Sequence, residues 1–468
     1  MSVSNASLHE GARGPLVLRA VASLLGLSDD VRRLLMSRAS DGSAGDRSAN
    51  VRARTGDIIA DVRKRGDVAL HEMARDFDGV PLTSLEIPRG EWQQALRALD
   101  ADLRAALERS VTNIRAVHSA FMPTSVETCP EPGITVGRRV DPLARVGVYA
   151  PGGRAAYPSS LLMGAIPARV AGVREVIVCT PPSLSGKPSA VVLAAAELAN
   201  VDRVFAVGGA GAIAAMALGT ASIPRVDRIV GPGNAYVAEA KLQLVGDVAI
   251  DSPAGPSELL VLADASANVE VLARELAAQA EHDPQAAVIA VVFGARANEI
   301  QISLVSALAR VVNAAPRAET IRASLAERGA IFSSESVDDA IEFANEWAAE
   351  HLLLSVSQEI QESVLARLRA AGTIFIGESS SVAFGDYMTG ANHVLPTAGL
   401  ARCYSGLSTM DFVRWTSWQR VTPAAAARLA NDVGVFADAE GLPSHALAAR
   451  SWAMPDATDV VQRTPQSE

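Results

Sequence analysis

The chain has 468 residues, 49% of them apolar and 20% charged, which is enough for more than one hydrophobic core and gives a prior of about three domains. Lysine and arginine number 42 against 52 acidic residues, a formal charge of −10 without basic clusters, which excludes nucleic-acid binding as the main task; the RKR run at 63–65 reads as a solvated helix face. The start MSVSNASLHEGARG lacks the pattern of a signal peptide, no apolar run reaches the roughly 18 residues of a membrane span, and the three cysteines show no CxxC spacing, so a reducing, cytoplasmic setting without a membrane partner is expected.

Residues 1–50 read as an N-terminal arm: a polar start, one short amphipathic helix and the flexible stretch SRASDGSAGDRSAN. From 51 to 120 the pattern is helical, broken by a turn at DFDGVPL. Then the texture changes. RVGVYA (145–150) predicts a strand and SSLLMGAIPARVAG a helix that Pro167 is placed to kink. EVIVCT follows as a strand that buries Cys179 as an inert thiol. Next come the helix SAVVLAAAELAN, the strand RVFAVG, the short helix GAIAAMALG and the strand RIV running into GPGN. A second series alternates in the same way: ELLVLAD, NVEVLARELAAQAEHD, AAVIAVVF, the helix from Asn298 to about Asn313, GAIFSS, SVDDAIEFANEWAAEH, LLLSV, IQESVLARLRAAG and TIFIG. Strands alternating with helices at this spacing predict βαβ units and parallel sheets.

The expected architecture is therefore α/β. It has two tandem Rossmann-like lobes, a helical N-terminal segment and a C-terminal extension. The boundaries read as an arm over 1–50, a first lobe from 51–144 with 253–380, a second lobe over 145–252, and loops and helices over 381–468. An extension of that kind often packs on a partner subunit.

VFAVGGAGAIAA holds G-x-G-x-x-A at Gly209, Gly211 and Ala214, where backbone amides at a helix start would cradle a pyrophosphate. A full fingerprint also needs an acid after the next strand, and Asp227 stands before RIV. The match therefore reads as close helix–strand packing. YAPGGRAAYPSS and GPGNAY are further Gly-rich turns that lead into helices, with Asn234 as a candidate cap. Turns of this kind mark a ligand crevice without naming the ligand.

Four polar blocks stand out from the alanine-rich background. In QAEHDP, Gln279 and His282 are three apart on a predicted helix and share a face, within reach of one metal ion. Glu350 and His351 end the helix SVDDAIEFANEWAAEH. Helix neighbours point about 100° apart, so both face one cavity only where the helix gives way to the next strand. The negative helix end would favour the charged imidazole. Asp386 and His393 lie in the Gly-rich loop GDYMTGANHVLP, and Glu440 and His445 in EGLPSH. Only seven histidines exist, and four are in these blocks. Imidazole and carboxylate are ordinary zinc ligands, and imidazole suits proton transfer near neutral pH.

Taken together, RGDVALHEMARDFDGV, RVGVYAPGG, GPGNAYVAEAK, AGPSELLVLAD, QAEHD, AAEHLLL, GDYMTGANHVLPTAG, SGLSTMDF and EGLPSH resemble the histidinol dehydrogenase family, in that family's order and over roughly residues 65 to 450. The resemblance implies an NAD-dependent enzyme with one zinc ion per subunit. It implies zinc ligands at Gln279, His282, Asp386 and His445, and a catalytic acid–base pair at Glu350 and His351. Ser257, His393 and Glu440 would contact the substrate beside those residues. Tyr149, Gly211 and Asn234 would stand at the dinucleotide in the 145–252 lobe, with Gly211 replacing the family's usual glutamine in VGGAQAIA.

A homodimer with a site shared between subunits is also implied. The reaction implied is oxidation of L-histidinol to L-histidine through L-histidinal in two hydride transfers, the last step of histidine biosynthesis. A relative acting on another small polar alcohol is the alternative, motivated by Gly211. A zinc hydrolase is disfavoured by the absence of HExxH and by the tandem lobes. A non-catalytic metal-binding protein is disfavoured by the intact polar blocks.

Overall fold

The computed structural model describes residues 16–28, 31–32, 35–36, 44–152 and 156–453. The polar start, most of the amphipathic helix expected before residue 37, and the polar tail from Pro455 lie outside the described residues. The strands run in chain order as β1 (Ala20–Ser23), β2 (Val126–Glu131), β3 (Ile134–Pro142), β4 (Arg145–Tyr149), β5 (Glu175–Thr180), β6 (Arg203–Ala206) and β7 (Arg228–Val230). They continue as β8 (Ala249–Ile250), β9 (Glu258–Ala263), β10 (Ala287–Phe293), β11 (Gly329–Ser334), β12 (Ala349–Ser355), β13 (Ala371–Ile376) and β14 (Val413–Val421).

The chain divides into two compact units, one holding the residues up to Phe121 and Leu143–Phe412, the other Met122–Pro142 and the chain from Val413 onward. The first unit contains two parallel sheets. One has the order β6-β5-β4-β7-β8 and the other β1-β11-β10-β9-β12-β13. The second unit contains the antiparallel sheet β14-β3-β2 and the helices Pro423–Ala439 and Pro443–Arg450.

The expected α/β architecture with parallel sheets is present, and its apolar pattern explains the layers. AVIAVVF of β10 is buried along its whole length, as a parallel strand covered by helices on both faces must be. Along β9, side chains alternate between faces. Leu259 and Val261 join Leu272, Leu276 and Leu304 in one core, while Leu260 and Leu262 join Ile341, Phe343 and Trp347 in the other.

Grouping 51–144 with 253–380 does not describe the packing. Ile59, Val62, Ala69 and Leu70 share a core with Ile177, Phe205, Ile213 and Met216 of the five-stranded sheet and its helix Gly209–Leu218. Leu85 and Ile87 bond to the edge strand β6, through Ala206 N–H to Leu85 O at 2.8 Å and Ile87 N–H to Val204 O at 2.9 Å. The arm in turn supplies a strand: β1 pairs in parallel with β11.

The helix read through His351 ends at Trp347. Ala348 turns left-handed at φ 50°, and Ala349 already belongs to β12. Helix Pro158–Val170 runs continuously through Pro167. No helix among the described residues is long and apolar enough to cross a membrane.

Candidate active site

Two sheet edges supply the expected site residues of the first unit. Tyr149 ends β4, Gly231 follows β7, and Gly209 opens the helix after β6, so all three lie at the C-terminal edge of the five-stranded sheet. Glu258 begins β9, and Glu350 and His351 are the second and third residues of β12, so these lie at the N-terminal edge of the six-stranded sheet. The two edges are joined by the short run from Asp251 to Ser257. The loop carrying His393 spans them as well: Asn392 donates to Met163 O at 2.8 Å, and the His393 ring lies 3.4 Å from Ser160 Oγ.

Glu350 and His351 thus sit on a strand, and their side chains converge through Glu258. The Glu258 N–H donates to Glu350 Oε2 at 2.7 Å, and its carbonyl oxygen lies 3.1 Å from His351 Nδ1. A carbonyl only accepts, so Nδ1 carries the proton and Nε2 keeps the lone pair. Nε2 has no hydrogen-bond partner among the described residues, and Asp386 Oδ1 is 3.7 Å away.

Burial holds the ring's pKa down to about 3, against a smaller opposing pull from the Glu258 carbonyl. The charged imidazole expected at a helix end is therefore overturned: the ring stands on a strand in a low-dielectric interior and is neutral. Burial likewise pushes Glu350 well above the ordinary carboxylate range, against the Glu258 N–H.

The helix holding Gln279 ends at Ala280. Glu281 follows with helical dihedrals (φ −76°, ψ −15°), so His282 sits just past the last turn. One turn before Gln279, the buried Glu275 accepts Val382 N–H at 3.1 Å, which ties this helix to the short helix Val382–Tyr387 that carries Asp386. His393 Nδ1 lies 2.9 Å from Asp386 O. Ser257 is half-buried beside Glu258. Glu440 and His445 belong to the second unit, where both are exposed.

A divalent cation suits these side chains. Gln279 is only 2% exposed, and its amide nitrogen has no partner among the described residues. Burial, with Glu275 nearby, pushes the Asp386 carboxyl up to about 7, a charge that a cation would compensate. Amide oxygen, imidazole and carboxylate are donors that zinc accepts. Among the described residues no three His, Cys, Asp or Glu side chains converge on one point. Of the four expected ligands, Gln279 is an amide and His445 belongs to the other unit.

A dinucleotide suits the other edge. Gly209 has φ +62° and open space where a Cβ would stand, and its N–H donates to the Tyr149 hydroxyl at 3.1 Å. Asn234 caps the next helix, its Oδ1 accepting Tyr236 N–H at 3.0 Å and Val237 N–H at 3.2 Å. Asp227 is spent at the opposite edge, where its Oδ2 accepts Ala144 and Arg145 N–H, so the incomplete fingerprint has a structural explanation. Gly211 is buried, and a Cβ there would meet Met73 Sδ at 2.9 Å.

Sequence reading missed Glu258 and Glu275. The available signal was an acid among apolar neighbours, at the head of ELLVLA and, in VEVLARELAAQA, on the buried face with Leu272 and Leu276.

Two parallel α/β lobes with a buried Glu–His pair at one sheet edge and Gly-rich turns at the other define a two-lobed α/β enzyme. The chain belongs to the histidinol dehydrogenase family, whose profile matches residues 43–452. Histidinol dehydrogenase of Methanosarcina mazei is 44% identical over 406 residues, covering 86% of this chain and 92% of that protein. That of Halobacterium salinarum is 46% identical over 397 residues, covering 85% and 92%. The crystal structure of histidinol dehydrogenase from Elizabethkingia anophelis superposes with a TM-score of 0.86 at 30% identity, covering 93% of this chain and 98% of that one.

Proposed function

We propose that this enzyme oxidises L-histidinol to L-histidine through L-histidinal, in two successive hydride transfers to NAD, as the last step of histidine biosynthesis in the cytoplasm. The observation that supports it most is His351: a buried, neutral ring with its lone pair on an unpartnered Nε2. Gln279, His282, Asp386 and His445 would hold one zinc ion, and Tyr149, Asn234 and the backbone at Gly211 would receive the dinucleotide in the 145–252 lobe. When bound, zinc would supply Lewis-acid and templating chemistry to hold the substrate, and NAD would supply the hydride acceptor.

His351 Nε2 takes the hydroxyl proton as the carbinol carbon is oxidised. Glu350 takes a proton from the water that adds to the aldehyde, leaving a diol for the second oxidation. Ser257, His393 and Glu440 bind and orient the substrate. A homodimer completes the site. This is supported by the exposure of Glu440 and His445, and by apolar Phe436 and Leu447, 69% and 70% exposed on the same two helices.

The test is NADH formation from histidinol, with a chelator control. Two NADH per histidine, lost on chelation and restored by zinc, is the expected result; no NADH from histidinol or any other small alcohol would overturn the reading. Gly211, packed against Met73, favours a second reading in which a different small polar alcohol is the substrate. Turnover of that alcohol with a higher kcat/KM than histidinol would decide for it.

A further inference from the structure

Helix Ala235–Gln243 buries a lysine, which is costly unless the charge is paired and hydrogen-bonded. The Lys241 and Asp251 side chains are 6% and 4% exposed, and Lys241 Nζ lies 2.6 Å from Asp251 Oδ1. Packing alone would be served as well by two apolar residues. What the pair adds is direction. Lys241 Nζ donates to Gly231 O at 2.5 Å, and Asp251 Oδ2 accepts Gly231 N–H at 2.7 Å. Both backbone groups of one residue are gripped by one ion pair.

Gly231 needs that grip. It follows β7 with φ +112°, and a Cβ on it would come within 2.1 Å of Tyr149 O. Here the chain bends away from the sheet, so its N–H and carbonyl must find partners elsewhere. The residues that follow are Pro232, Gly233 and Asn234, and the same helix that Asn234 caps carries Lys241. That helix therefore anchors its own leading turn. Asp251 lies just after β8, and the chain from it reaches Glu258, whose N–H holds Glu350.

We propose that Lys241 and Asp251 are positioning residues for the dinucleotide, a buried clamp that keeps the GPGN turn in its ligand-receiving shape. This rests on the reading that NAD binds at the C-terminal edge of the five-stranded sheet.

The test uses the full-length, zinc-loaded enzyme and two variants. The double variant Lys241→Met with Asp251→Leu removes both charges while roughly keeping the heavy-atom shape of each side chain; Asn234→Ala probes the ligand site itself. NADH binding is measured by calorimetry, and hydrogen exchange over residues 228–236 is followed without ligand. For the double variant, the expected result is a dissociation constant raised about tenfold or more, with faster exchange at the turn. Zinc content and the KM for histidinol should stay within about twofold.

NADH affinity within about twofold of wild type in the double variant, alongside weakened binding in Asn234→Ala, would overturn the clamp and leave the site reading intact. Unchanged affinity in both would overturn the site reading, and the clamp's role with it. Asp251→Asn keeps an oxygen for Gly231 N–H and is the second variant should the double one fail to fold. Its affinity is expected to fall below wild type, and an unchanged value would overturn the proposal.

Discussion

Replacing Glu350 by glutamine should separate the two proposed oxidations. The amide keeps an oxygen for the Glu258 N–H, which Glu350 Oε2 accepts at 2.7 Å, so the local fold and the His351 position are preserved. What the change would remove is the proposed base. General-base catalysis contributes about 10²–10⁴-fold, or roughly 2.7–5.4 kcal/mol at about 1.36 kcal/mol per tenfold. That loss should fall on the aldehyde step, where water must be activated, while the alcohol step, assigned to His351 in the proposed mechanism, should change by less than about threefold. Stopped-flow NADH absorbance started from histidinol and, separately, from histidinal measures the two.

The pH dependence follows from the same group. Burial raises the folded pKa of Glu350, so the base form grows as pH rises, and the wild-type aldehyde rate should climb with pH while that of Glu350→Gln stays flat. For stability, a raised folded pKa gives a contribution that is present at low pH and lost as pH rises through the folded value. The metal-free variant should therefore outlast the metal-free wild type in alkali. Equal losses in both steps, or a variant aldehyde rate that keeps the wild-type pH profile, would refute the reasoning.

Three further outcomes are expected. His118 is buried with both ring nitrogens unpartnered among the described residues, and burial lowers its pKa to about 4. The stability it favours is lost as pH falls from about 6.5 through 4, so His118→Leu should flatten the acid limb of Tm against pH. Gly211→Gln brings a Cβ to within 2.9 Å of Met73 Sδ, the flexible end of a half-buried side chain that can give way, and it gains helix propensity over glycine, so urea denaturation should show a stability change of less than about 1 kcal/mol. Removing the proposed zinc should destabilise the enzyme most above pH 7: with the Asp386 pKa raised from 3.8 to about 7, the stability its neutral form gives the metal-free fold is lost as pH rises through that range and is gone above it. Calorimetric melting with and without chelator at pH 6 and 8 checks this.

The alternation of strands and helices was legible because most elements are strongly apolar runs set off by turn residues. Which helices cover which sheet was not legible, since amphipathicity states that a face is apolar without naming its partner. Grouping 51–144 with 253–380 accordingly set Ile59, Val62 and Leu70 against the wrong sheet. β1 was missed because AVAS is short and only partly buried, and it becomes a strand by pairing with β11. The helix boundary at Trp347 was missed for a related reason. Ala-Ala-Glu-His is good helix sequence, yet Ala349 and His351 pair with β13, and His351 also pairs with β9. The turn that frees them is made by Ala348 at φ 50°, with no glycine to announce it. At the site, the acid–imidazole blocks could be seen because the background is so apolar. The role of Glu258 could not, because it depends on which strands are neighbours.

That strand order also explains why the candidate residues of the two lobes stand at opposite sheet edges. Ligands of open α/β sheets gather at the C-terminal ends of the strands, and Tyr149, Gly209 and Gly231 conform. Glu258, Glu350 and His351 do not, being at strand starts. Most parallel neighbours in each sheet are joined through a helix that returns the chain to the edge where it began. Between β8 and β9 no helix intervenes, so the chain leaves one sheet at its C-terminal edge and enters the other at its N-terminal edge. Asp251 and Glu258 can be no farther apart than a short extended run allows, about 3.3–3.6 Å per residue. Ser160 and His393 close the same gap from the other side at 3.4 Å. One helix omitted from the repeating connection is thus what sets the Gly-rich turns of one lobe against Glu350 and His351 of the other, the juxtaposition that the proposed hydride and proton transfers from one carbinol group would require.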